Sequence, residues 1–278
     1  MPVITFWSNS EKAIGQTVAA SLAATVTAME HNYKVLLISA DFNDKVIEEC
    51  FGAQESNKEI VKSLVQKAQI NLDSGINGLL KLADSNRVTP EVIHDYTKIV
   101  FKNRLEILYS PMNVIDERSK SYLMGEMKNI ITNAARYYDY VFVDLAKGIK
   151  YSEQSEILEL SDVVVGNIDQ KLITITELLK LEQFNRIYNK FIWNICKYDK
   201  NSKYNLKNLS RTILKKQTIC QTDYNSLILD ATQEGGIAEL LLRLRTIRVD
   251  DESLDFVSNI KKLVETIILK NQEMRYKM

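Results

Sequence analysis

Residues 3–20, VITFWSNSEKAIGQTVAA, decide how this chain is read. Val3 to Trp7 form an unbroken apolar run, the mark of a buried strand. A polar turn follows. Gly15-Gln16-Thr17 then opens an alanine-rich segment in which Val18, Leu22, Val26 and Met29 recur at helical spacing. Strand, turn and helix in that order aim backbone N–H groups and a helix N-terminus at one point, the arrangement that holds a phosphate. A complete phosphate loop adds glycines for close wrapping, a lysine for the β and γ phosphates, and a Ser or Thr for Mg2+. Here Gly15 and Thr17 keep that pattern, and Gln16 stands where the lysine would be. On the loop alone, an ordinary strand-to-helix turn is an equal reading.

Working outward, residues 33–39 (YKVLLIS), 105–109 (LEILY), 140–144 (YVFVD), 162–167 (DVVVGN) and 190–195 read as strands. Their continuous apolar runs suit strands covered on both faces, as in a parallel sheet. Helical spacing recurs over 15–31, 55–71, 117–137, 173–188, 234–245 and 252–270. Thr89 and Pro90 read as the N-cap and first turn of a further helix. Residues 218–220 suggest a short last strand. Strands separated by helices predict an α/β fold, a mostly parallel twisted sheet with helices on both faces, in a single domain over 1–278. The polar stretch 197–210 reads as a solvated loop. Its cations Lys197, Lys200, Lys203, Lys207 and nearby Arg211 leave an anion or partner contact as the alternative.

Composition narrows the function. Thirty-six basic and 36 acidic residues give zero formal charge, which does not favour nucleic acid as a partner. Cys50, Cys196 and Cys220 have no metal-ligand spacing and read as buried thiols of a reducing compartment. With no secretory leader pattern and no run of 18 apolar residues, the expected location is cytoplasmic. No GxGxxG follows the first strand, which argues against a dinucleotide-binding enzyme.

Two acids extend the case for a nucleotide. Asp41 lies just past the second strand and Asp144 at the end of YVFVD, positions on the ligand face of an α/β sheet. Asp144 is placed to bind Mg2+, directly or through water. Gly148 is placed to bring a backbone N–H to a γ-phosphate. One acid after a strand more often caps a helix. Three such features in order favour a nucleotide site.

Together these segments resemble the ParA/MinD group of deviant P-loop ATPases, which includes the TadZ/CpaE proteins of Flp-type pilus assembly. That family's loop reads KGGxGKT, and residues 11–17 here read EKAIGQT. The resemblance puts the signature lysine, which in this family reaches across a dimer, at Glu11, with Lys12 one position late. It puts the phosphate lysine at Gln16. VLLISAD, residues 35–41, resembles the second motif and gives Asp41 the role of orienting the attacking water. YDYVFVDLAKG, residues 138–148, resembles the Walker B segment, with Asp144 as the Mg2+-side acid. Residues 161–167 (SDVVVGN) and 231–240 (ATQEGGIAEL) resemble later family segments, the latter without its preceding proline. Asn194 falls where the family reads adenine, and a plain strand-end polar residue is an equal reading.

The resemblance implies ATP and Mg2+ as ligands, a homodimer, and protein partners in a membrane-associated machine at the inner face of the membrane. Loss of the loop lysine removes a charge-assisted phosphate contact. A loss on the order of 3 kcal/mol slows turnover about a hundredfold. Glu11 repels a triphosphate unless Mg2+ or Lys12 offsets it. The expected protein is therefore a localisation or assembly factor, of pilus or secretion machinery for example, with weak or absent ATP hydrolysis. The alternative is an active partitioning or positioning ATPase, and a third reading is an unrelated nucleotide-binding enzyme. Residues 254–269 form an amphipathic segment, expected to pack on its own sheet, with membrane contact as the competing reading.

Overall fold

The computed structural model describes residues 1–10, 12–42, 45–52, 75–83, 88–110, 117–147, 151–246 and 251–276. The helix expected over 55–71 lies outside them, as do Glu11 and Gly148. The strands are β1 (Val3–Trp7), β2 (Val35–Ala40), β3 (Lys98–Phe101), β4 (Leu105–Leu108), β5 (Tyr140–Leu145), β6 (Val163–Ile168), β7 (Phe191–Tyr198) and β8 (Ile219–Asp223). The helices are α1 (Gln16–Glu30), α2 (Val46–Phe51), α3 (Gly75–Ala83), α4 (Pro90–Asp95), α5 (Glu117–Ala134), α6 (Tyr151–Leu160), α7 (Leu172–Lys180), α8 (Leu206–Thr212), α9 (Ser226–Glu234), α10 (Ile237–Thr246) and α11 (Asp251–Tyr276).

Among the described residues, eight strands form one sheet in the order β3-β4-β2-β5-β1-β6-β7-β8. Every pairing is parallel except that of β3 with β4. β1, β2, β5 and β6 are buried at every position, which explains why their sequences run apolar without alternation. Side chains of alternate residues serve opposite faces. Ile4, Phe6, Leu37, Phe142 and Ile192 pack with α1, α10 and α11. Trp7, Ile38, Val143 and Trp193 pack with α5, α6 and α7 on the other face. Because β1 lies between β5 and β6, its following loop opens at the centre of the sheet's C-terminal edge, where such sheets bind ligands.

Thr89 caps α4, its side chain accepting from Val92 N, with Pro90 in the first turn as expected. Helix α7 stops at Lys180, short of the expected 188, and 3-10 turns at 182–186 and 188–190 replace its end. Those turns fold Phe184 back onto Phe191 and Trp193, with ring centres 4.8 and 5.6 Å apart. The polar stretch 197–210 is not all loop. β7 runs on to Tyr198, and α8 begins after Asn205, whose side chain accepts from Asn208 N. Only Leu209 of α8 is buried, so its sequence carries little periodic signal. In α11, Phe256, Ile260, Leu263, Val264 and Ile267 are buried in the shared core, so its apolar face serves its own sheet. Among the described residues, no helix is long and apolar enough to cross a membrane.

One strand position tolerates glycine alone. A Cβ at Gly166 in β6 would lie 1.7 Å from Phe191 Cζ, because that ring covers the β6 backbone. Gly166→Ala is expected to lower stability by about 1–3 kcal/mol, the usual range for overpacking, read as a fall in melting temperature.

Candidate functional site

The loop after β1 is shaped by short polar turns. Ser8 Oγ accepts from Ser10 N at 3.0 Å, and Ser10 Oγ accepts from Lys12 N at 3.1 Å. Lys12 is exposed. Gly15 takes φ 98°, ψ 15°, a left-handed conformation that a side chain would strain, and α1 starts there without a side-chain cap. The first N–H groups of a helix have no intrahelical partners. Here that uncapped end coincides with the loop.

Gln16 turns inward and is fully buried. Its Nε2 donates to Asp144 Oδ1 and to the Leu145 carbonyl, both at 2.7 Å. β1 and β5 are neighbours with Phe6 opposite Asp144, so the loop after one strand meets the acid at the end of the other. Burial pushes the Asp144 carboxyl up to about 6; Lys147, Gln16 and Thr17 pull it down, and Asp41 adds to the rise. Three buried oxygens in this cluster lack a hydrogen bond of good geometry: Gln16 Oε1, and Thr17 Oγ1 and Asp144 Oδ2, although Thr17 lies close enough to Asp144 to favour its ionised form.

Asp41, just past β2, forms an ion pair with Lys147, whose Nζ lies 3.2 Å from its Oδ2. Both side chains are mostly covered. Asn194 lies elsewhere. It is fully buried within β7, opposite Asn167 of β6. Its Nδ2 donates to Asn167 Oδ1 at 2.9 Å and to Thr222 Oγ1 at 3.1 Å. The amide is engaged in a network across three strands. The structure thus brings together Gly15, Gln16, Thr17 and Asp144, sets Asp41 beside them, and keeps Asn194 inside the sheet.

Of two lysines at this edge, Lys147 escapes a reading of the sequence, and Lys197 reads there only as one cation of a solvated run, with an anion or partner contact as the alternative. Lys147 follows Asp144 by three positions. Lys197 sits at an irregularity in the β7–β8 pairing, between Cys196 and Tyr198, with φ 50°. Its Nζ donates to the Ala13 carbonyl at 3.0 Å, reaching the loop after β1 from another strand. The only sequence signals are the lysine in AKG and the first cation of the 197–211 run.

The residues fit Mg2+ and phosphate in part. A threonine hydroxyl and a carboxylate oxygen without partners are oxygen donors of the type Mg2+ takes. An uncapped helix start suits an anion. No lysine stands in the loop's own phosphate position.

This architecture, an eight-stranded, mostly parallel sheet with a strand–loop–helix at its centre, is the P-loop NTPase fold of ParA/MinD type. It matches a ParA family ATPase from Chlorobium tepidum TLS with a TM-score of 0.66 at 16% identity, over 95% of this chain and 98% of that one. A putative plasmid partition protein from Borrelia burgdorferi B31, bound to AMPPNP, matches with a TM-score of 0.60 at 19% identity, over 97% and 98%. The septum site-determining protein MinD from Pyrococcus horikoshii OT3, complexed with Mg-ADP, matches with a TM-score of 0.59 at 12% identity, over 97% and 98%. At these identities the likeness is one of fold. No protein-family model matches the chain, and no curated protein does so by sequence.

Proposed function

We propose that this chain is a single-domain localisation or assembly factor of ParA/MinD type that binds ATP with Mg2+ weakly and hydrolyses it slowly or not at all. One observation carries the reading: a neutral amide, Gln16 Nε2, occupies Asp144 Oδ1 in the position of the loop lysine. In this reading Thr17 and Asp144 would hold Mg2+, and Gly15 with the α1 N-terminus would receive the phosphates. Lys12 would face the phosphates from the rim, and the parts the resemblance gives Glu11 and Gly148 belong to the same proposal. Asn194, held inside the sheet by Asn167 and Thr222, would act on the base end only through the strands it ties together. Bound Mg2+ would supply charge neutralisation between the phosphates. Asp41 would orient the attacking water, yet Lys147 holds it in an ion pair. Gln16 brings no charge to the transition state, where such groups act most.

Dimerisation, partners in a membrane-associated pilus or secretion machine, and contact with a membrane surface belong to the same proposal. The solved Aquifex aeolicus MinC:MinD complex shows a protein of this fold bound to a partner. An active partitioning or positioning ATPase is the second reading, favoured by the presence of Thr17, Asp41 and Asp144 together. Titration calorimetry with MgATP and steady-state phosphate release separate the two. The expected result is weak binding and turnover at least about a hundredfold below an intact family member. Turnover comparable to such a member would sink the proposal.

A further inference from the structure

The loop's phosphate-lysine position holds the neutral Gln16 and its own Lys12 is exposed, yet the sheet brings two further lysines to this edge from either side. β5 and β7 lie on opposite sides of β1 in the strand order. Lys147 follows β5, and Lys197 lies within β7. Lys197 departs from strand geometry to get there: its φ of 50° lies in the left-handed region, which residues with a Cβ seldom enter. Its position at a pairing irregularity is where bulges re-aim side chains. Strained backbone of this kind concentrates where a side chain is held for a purpose. The outcome is an ammonium 3.0 Å from the Ala13 carbonyl, 184 positions away in sequence. An ammonium carries three N–H donors, and that carbonyl takes one. Independently, the buried, unpartnered Thr17 Oγ1 and Asp144 Oδ2 mark a ligand position in the same loop cluster.

We propose that Lys197 is the binding cation of this loop, supplying from β7 the charge that Gln16 leaves out, with Lys147 as its counterpart on the β5 side. The ligand class is the phosphate chain of a nucleoside di- or triphosphate. The assignment rests on the nucleotide reading above, and the test distinguishes the two.

Calorimetric titration of the full chain with MgATP and with MgADP compares wild type, Lys197→Gln, Lys197→Arg, Lys197→Gly and Lys147→Gln. Lys197→Gln weakens binding at least about tenfold and flattens the dependence of Kd on salt, as loss of a charge contact requires. Lys197→Arg retains most of the affinity. Lys197→Gly adopts the left-handed conformation without strain, so it folds and shows the same loss. Lys147→Gln weakens binding to a lesser degree. Unchanged affinity and salt slope in folded Lys197→Gln and Lys197→Gly overturn the assignment and leave the nucleotide reading standing. No binding by wild type at millimolar MgATP overturns the nucleotide reading, and this assignment with it.

Discussion

Gln16→Lys tightens MgATP binding by roughly tenfold to a hundredfold. The Gln16 side chain already points at the position a phosphate lysine needs, fully buried with its amide on Asp144 Oδ1 and the Leu145 carbonyl. A lysine there exchanges a neutral donor for a charged one. Hydrogen bonds to charged groups contribute about 1.5–3 kcal/mol, and each 1.4 kcal/mol is a factor of ten in affinity. The buried ammonium meets a carboxylate with an unpartnered oxygen, which limits its desolvation cost. In the free protein the new pair pulls the Asp144 pKa down from about 6, towards the usual carboxylate range. Titration calorimetry with MgATP reads the gain directly. Affinity equal to wild type would mean that the loop backbone itself no longer accepts a phosphate.

Asp144→Asn is the second large effect, and it runs against intuition for a site residue: it stabilises the fold. Burial raises the carboxyl from 3.8 to about 6, so the folded protein holds a proton more tightly than the unfolded chain. Each pKa unit is worth 1.36 kcal/mol, so the ionised group costs on the order of 3 kcal/mol at neutral pH. The sign follows from proton uptake. Between about pH 4 and 6 the native state binds more protons at this group than the unfolded state, so its contribution to stability falls as pH rises. Above pH 6 the cost is present in full. Urea unfolding therefore shows Asp144→Asn close to wild type near pH 4. Its advantage widens through pH 6 and levels at about 2 kcal/mol by pH 7.5, once an imperfect amide fit is allowed for. A variant no more stable than wild type at pH 7.5 contradicts this account. If Asp144 serves Mg2+ as proposed, the same variant weakens the dependence of ATP affinity on Mg2+, with Thr17 left as the remaining donor.

The parts of the fold that were legible in the sequence are those where one element sets its own pattern. β1, β2, β5 and β6 are buried along their full length, so an unbroken apolar run is their direct imprint. Other elements depend on neighbours. β3 lies at the sheet edge, half exposed and antiparallel to β4, and leaves almost no apolar run. α8 buries only Leu209, and α9 depends on Asn225, whose side chain accepts from Ile228 N. The candidate site divides in the same way. Gly15, Gln16 and Thr17 are consecutive, and Asp144 ends a conspicuous strand, so both were visible. Lys197 reaches Ala13 only because β7 bulges two strands away from β1, which is a matter of pairing register. Asn194 was legible as a strand-end polar residue, but its engagement by Asn167 and Thr222 follows from β6, β7 and β8 lying in register.

The central position of β1 also sets when, during folding, this loop exists at all. Val3 N is held by Asp162, 159 positions away, and Gln16 by Asp144, 128 positions away. The helix that covers α1 on the outer side, α11, begins only at Asp251. Contacts so distant in sequence close large loops and form slowly. A nascent chain that has emerged through α1 has the loop's residues but none of the walls that shape it. The native shape of this loop is therefore a late product of folding, and α1 with its apolar face is the segment most exposed to misassociation until α11 arrives.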